Sequence, residues 1–151
     1  MIIAMTLAAL NDLLVKVEDI HNAYTTAPFT EKIWTVLGQE FGEDSGRKAI
    51  VIWALYGLKS AGSAFRNHLE DCMHHLGLLT CPADLDLWMN PMVRPGYGSD
   101  YYAYVLIYVD DVMVIHHDAD SVLWRIDSCF KLKPSLIGDH EIYLGAKLNK
   151  M

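Results

Sequence analysis

The sequence predicts an α+β fold, an antiparallel sheet with helices packed on one face. Three observations carry that expectation. Strand-like and helix-like stretches come as strands, helix, hairpin, helix rather than in regular strand-helix alternation. Two stretches, 60–76 and 119–130, repeat apolar residues at intervals of three and four. The run "YVLIYVDDVMVIHH" (104–117) has the length and composition of a hairpin folded about its own polar centre.

Taken in order, Met1 to Leu10 reads as an apolar core helix, too short to span a bilayer and without a basic leader or small-residue cleavage pattern. Leu13 to Ile20 alternates Leu14, Lys16 and Glu18 against Val15, Val17 and Asp19, a strand that ends with Asp19 on its apolar side. Lys32 to Leu37 is a short strand, and the glycines and charges of "GQEFGEDSGRK" make a loop. Ala49 to Leu55 is a continuous apolar run of strand length. From Ser60 to Leu76, Ala61, Ala64, Phe65, Leu69, Cys72, Met73 and Leu76 form one helical stripe, which Gly77 ends. Asp84 to Asn90 is a strand, and "PMVRPGYGSD" a loop. Tyr101 to Tyr108 and Val112 to His116 are the two arms of the hairpin, with a turn at Val109 to Asp111. Ala119 to Phe130 is a helix with Asp118 as N-cap, and "EIYLGAKL" a strand interrupted at Gly145.

No repeat or Pro/Gly/Ser-rich linker divides the chain, so residues 1–151 are expected to form a single domain. A hydrophobic content of 52% supplies a core and argues against disorder. The three cysteines, Cys72, Cys81 and Cys129, form no CxxC pair and leave an odd count, which points to reduced, buried thiols in a cytoplasmic or nuclear protein, not a secreted one. A formal charge of −7 argues against this chain gripping nucleic acid by itself. Adjacent His116 and His117 are expected on opposite faces of a strand, which makes them poor joint metal ligands.

The chemistry lies in the acids. Asp110 and Asp111 interrupt an apolar run, and buried carboxylates are tolerated when paired, hydrogen-bonded or metal-bound. If the strand ending at Asp19 lies beside the hairpin, three carboxylates converge. Two-metal phosphoryl transfer uses such a trio, with ions roughly 4 Å apart. A bare pair of aspartates in a turn is more often structural.

Five blocks, in order, resemble the reverse transcriptase domain of copia-type retrotransposons. "VEDIHNAYTTAP" is similar to that family's first catalytic block, "ALYGLKSAGSAF" to its "LYGLKQAPRAW", "DLDLW" to "DPCLY", "YVDD" to its catalytic hairpin and "IYLGAKL" to the "FLG" block. The resemblance implies a polymerase palm, with Asp19, Asp110 and Asp111 catalytic and holding two Mg²⁺ ions, for which Mn²⁺ could substitute. It implies that backbone N–H groups of Ile20, His21, Asn22 and Ala23 face the triphosphate and that Tyr24 disfavours a 2′-hydroxyl. Tyr108 would pack near the primer end. Gly57, Leu58 and Lys59 would border nucleotide and template, and Leu144 and Gly145 would belong to the primer grip. Gly62 and Phe65 stand where the family commonly has Pro and Trp.

Its implied partners are an RNA or DNA template-primer and a deoxynucleoside triphosphate, with no membrane. The implied setting is the virus-like particle of the parent element. The resemblance also implies that fingers, thumb and ribonuclease H regions are largely missing, which would account for the acidic balance. The alternative is a catalytically inactive retroelement remnant or interaction module, with self-association through exposed apolar surface.

Overall fold

The computed structural model describes residues 2–93, 96, 98, 100–133, 142–143 and 146–147. The chain divides into two compact units, Met1–His21 with Asp71–Met151, and Asn22–Glu70.

The larger unit is built on one five-stranded antiparallel sheet. Its strands are β1 (Leu14–Asp19), β4 (Leu79–Cys81), β5 (Asp84–Val93), β6 (Asp100–Tyr108) and β7 (Asp111–His116), in spatial order β1-β7-β6-β5-β4. The expected hairpin is β6–β7, with Tyr108 opposite Asp111 and only Val109 and Asp110 between them. Val112 to Ile115 are completely buried, so β7 is covered on both faces. A one-residue slip of this strand would carry its aspartate to the wrong face, and the packed neighbours on both sides hold the register.

Helices lie on both faces, whereas the sequence predicts one. Helix α1 (Ile2–Leu10) sets Ala4 and Ala8 against Val17, Leu106, Met113 and Ile115. Helix α3 (Ala119–Cys129) covers the opposite face, and Lys16 of β1 reaches Asp120 in its first turn at 2.5 Å. The reason lies in β7 itself: Met113 and Ile115 point one way and Val112 and Val114 the other, so neither face can be left in water. Asp118 caps α3 as expected, its carboxylate accepting the Ser121 N–H at 3.3 Å. Helix α2 (Ala61–His75) ends at Gly77, whose φ of +80° lets Leu78 N–H reach Met73 O and its own N–H reach His74 O, both at 2.9 Å.

Two further differences concern β4 and β5. Strand β4, three residues long, has too little alternation to be legible. Strand β5 runs on through Pro91 to Val93, a stretch the sequence marks as loop; Pro91 lies past the end of β4, where one side of the strand is open and a missing N–H is tolerated. Cys72 of α2 and Cys129 of α3 form a disulfide with Cα atoms 6.5 Å apart, while Cys81 stays free. This replaces the expected reduced thiols: the two helical stripes bring together cysteines 57 residues apart.

The smaller unit holds a 3-10 turn at Ala23–Thr26, a two-stranded sheet of β2 (Trp34–Val36) and β3 (Lys48–Ile50), a 3-10 segment at Gln39–Asp44 and the first part of α2. The predicted strand over Ala49 to Leu55 is only partly regular. Beyond Ile50 the chain continues as irregular pairing, with Val51 N–H on Ile33 O and Ala54 N–H on Ala27 O. Short two-residue strands, β8 (Ile142–Tyr143) and β9 (Ala146–Lys147), pair near the C-terminal end. Among the described residues, no helix is long and apolar enough to cross a membrane.

Candidate metal centre

Two of the acids oppose each other where β1 ends beside the hairpin turn. Asp19, the last residue of β1, is the register partner of Asp111, the first residue of β7. Directly opposed residues in an antiparallel pair share a face, so the two carboxylates project to the same side. Asp110 sits in the turn, and its carbonyl accepts the Ile20 N–H at 2.7 Å, which ties the turn to the end of β1. Tyr108, opposite Asp111, is exposed on that same face. Val109 has φ +56°, a left-handed conformation that a β-branched side chain adopts at a cost.

On the other flank of β1, the segment 131–133 runs alongside. Ile20 bridges Leu132, His21 N–H donates to Lys131 O at 2.8 Å, and Lys133 N–H donates to Asp19 O at 2.7 Å. Lys133 also donates from Nζ to Asp19 Oδ2 at 2.7 Å. The result is a row across three neighbouring segments, Asp111, Asp19, Lys133. Nothing in the sequence reading singled out Lys133. The available signal was the alternation Lys131, Leu132, Lys133, lying between two predicted elements.

The Ile20 and His21 amides are thus spent inside the protein. The hairpin turn takes the Ile20 amide through Asp110 O, and the added segment at 131–133 takes that of His21 through Lys131 O. The expected triphosphate-facing N–H groups are left with Asn22 and Ala23, which belong to the smaller unit. There Asn22 has φ +51° and its carbonyl accepts the Thr25 N–H at 2.9 Å, while Ala23 is fully buried. Tyr24 is held by aromatic neighbours, with Tyr56 at 4.7 Å and Phe65 edge-on at 5.8 Å between ring centroids. Gly57 has φ +92°, Leu58 is half-buried and Lys59 is exposed. Leu144 and Gly145 lie outside the described residues.

Among the described residues, no three His, Cys, Asp or Glu side chains stand together as a metal-holding group. The donor chemistry nevertheless fits a divalent cation at the Asp19–Asp111 pair. Asp19 Oδ1 is shut away from water and, among the described residues, has no hydrogen-bond partner. Such an oxygen costs about 1–3 kcal/mol, and two carboxylates facing each other add mutual repulsion. A hard dication with oxygen ligands removes both penalties.

At the far end of β7 the histidines depart from expectation. His116 and His117 have rings 4.3 Å apart and both touch Tyr101, because the strand ends at His116 and alternation stops there. His116 is buried, and burial lowers its pKa, opposed by its hydrogen bond to the Asp118 backbone.

Comparison with protein-family models, with curated proteins and with solved structures finds no match to this chain.

Proposed function

We propose that this chain is the palm of a copia-type retrotransposon reverse transcriptase, an RNA-directed DNA polymerase that transfers the nucleotide of a deoxynucleoside triphosphate to a primer 3′-hydroxyl, with pyrophosphate leaving. The observation that supports it best is the register of β1 on β7. It sets Asp19 against Asp111, with Asp110 in the adjoining turn and a carboxylate oxygen left unpartnered. Asp19, Asp110 and Asp111 would hold the ions. When bound there, Mg²⁺ or Mn²⁺ supplies Lewis-acid activation of the attacking hydroxyl and charge stabilisation of the leaving group.

The protein's own part is positioning. The sheet pairing and the buried β7 keep the acids from moving as charge develops, so little reorganisation is needed. Tyr108, exposed on the face of the acids, is a surface on which a primer terminus can lie. Tyr24, packed against Tyr56 and Phe65 in the smaller unit, is the ring to which the resemblance gives the exclusion of a ribose 2′-hydroxyl.

Primer extension on an RNA template tests this directly, with wild type beside Asp110→Asn and Asp19→Asn. Losing a metal ligand removes several kcal/mol of transition-state stabilisation, so a fall of about a thousandfold is expected. Equal extension by wild type and the two variants would end the assignment of these acids.

The second reading is an inactive remnant or interaction module. It is favoured by the exposed apolar side chains of the smaller unit, Trp34, Val36, Ile50 and Ile52. A folded, self-associating wild type with no extension on any template would select it.

A further inference from the structure

We propose that Lys133 is a resident counter-ion of the metal centre, holding Asp19 while no divalent cation is bound and yielding Oδ2 when one arrives. This rests on the metal-binding reading of Asp19 and Asp111 above.

The placement is specified by backbone as well as side chain. Lys133 N–H on Asp19 O sets the residue opposite Asp19 across the bridge formed by Ile20 and Leu132. By the same parity that sets Asp111 against Asp19, the lysine side chain emerges on the face of the acids. Its Nζ then lies 2.7 Å from Oδ2, with the lysine side chain 48% exposed and that of Asp19 34% exposed. The row therefore reads minus, minus, plus. Without the ammonium, Asp19 and Asp111 would oppose like charges at directly paired positions, which is destabilising.

The pairing divides the two oxygens of one carboxylate. Oδ2 is taken by Lys133, and Oδ1 is buried without a partner among the described residues. At Asp19 the ammonium satisfies Oδ2 and leaves Oδ1. A dication held at Asp19 would reach Oδ1 as well as Oδ2 with twice the charge, and Lys133, with half its side chain in water, can turn outward toward solvent. An exposed pair of this kind is worth little by itself, which is what a displaceable counter-ion requires. Lys133 is thus a positioning residue: it keeps Asp19 oriented and sets how tightly metal binds.

The test uses the full chain and Mn²⁺ alone as probe, with bound metal read from the paramagnetic resonance signal of free Mn²⁺. Lys133→Met is expected to bind Mn²⁺ about two- to fivefold tighter than wild type, and Lys133→Arg to match wild type. In EDTA, the melting temperatures of Lys133→Met, Asp19→Asn and the double variant should show coupling between the two residues. Wild type and Lys133→Met should then differ less in saturating Mn²⁺ than in EDTA. If wild type binds Mn²⁺, with weakening in Asp19→Asn, while Lys133→Met binds equally or more weakly, the counter-ion proposal is overturned and the metal centre stands. If folded wild type and Lys133→Met both fail to bind Mn²⁺, the metal-binding reading falls and the proposal falls with it. Absence of coupling in EDTA overturns the proposal whatever the metal does.

Discussion

Two apolar runs in this chain look alike as letters and differ completely as structure. Val112 to Ile115, in β7, is buried without remainder between α1 on one side and α3 on the other. Ala49 to Leu55, in the smaller unit, leaves Ile50, Ile52, Trp53 and Leu55 exposed and keeps strand geometry only through Ile50. Composition cannot separate them, because both are strings of aliphatic and aromatic residues. What separates them is the number of neighbours each strand has: β7 lies between β1 and β6 beneath helices on both faces, while β3 pairs with one short strand. The buried run is the one that continues directly from Asp111.

The largest effect that could break this comparison is a core truncation. Met113→Ala, inside the buried run, is expected to cost about 2–5 kcal/mol by denaturant unfolding, through lost transfer energy and the cavity left behind. Ile52→Ala, 62% exposed in the other run, should stay within about 0.5 kcal/mol. Equal costs would mean that the two runs are equally packed.

The disulfide sharpens the contrast, since both of its cysteines belong to the larger unit. Closing a loop between Cys72 and Cys129 restricts the unfolded chain, and its loss is expected to cost about 2–4 kcal/mol. Cys72→Ser with Cys129→Ser should lower the melting temperature and speed amide exchange in β6 and β7. A double variant as stable as wild type would show that the link contributes nothing to the hairpin's platform.

Much of the larger unit was legible because its signals were local. The hairpin, the Asp118 cap and the Gly77 stop each depend on residues a few positions apart, and each stands where the sequence puts it. What was not legible depended on distant partners. Strand β4 exists because β5 offers it an edge, Pro91 hid the extension of β5, and the cysteines met only through two helices packed on one sheet. The site divides the same way. Asp19, Asp110 and Asp111 are proposed from motif and alternation, with the Asp19–Asp111 register seen in the sheet, whereas Lys133 became visible only once the segment 131–133 had been placed beside β1. The spent amide of His21 follows from that same segment, and that of Ile20 from the hairpin turn.

At the hairpin turn the comparison can be sharpened by relieving strain. Val109 has φ +56°, where a β-branched residue loses roughly 1–3 kcal/mol and glycine loses little beyond its own entropy. Val109→Gly is expected to raise stability by about 1 kcal/mol, read as a rise of roughly 2–4 °C in melting temperature. A lower melting temperature would mean that the Val109 side chain contributes packing worth more than its backbone strain.

The smallest effect lies at the other end of β7, where burial of His116 has an electrostatic consequence. Desolvation lowers its pKa from the ordinary 6.5, against the opposing influence of the Asp118 backbone and carboxylate; His117 and Arg125, both cationic when protonated, push the same way as burial. The Nδ1 atom lies 2.9 Å from both the amide and the carbonyl of Asp118. Above pH 6.5 the ring is neutral in folded and unfolded chains, and its contribution to stability is fully present. As pH falls below 6.5, the unfolded chain takes up a proton that the folded chain refuses, so stability declines until the lowered folded pKa is passed. His116→Asn keeps an acceptor near the Nδ1 position and removes the titration, so its stability should fall less steeply over that window than that of wild type. Parallel pH profiles for the two proteins would show that His116 titrates alike in both states, and that burial at this end of β7 is shallower than at Val112 to Ile115.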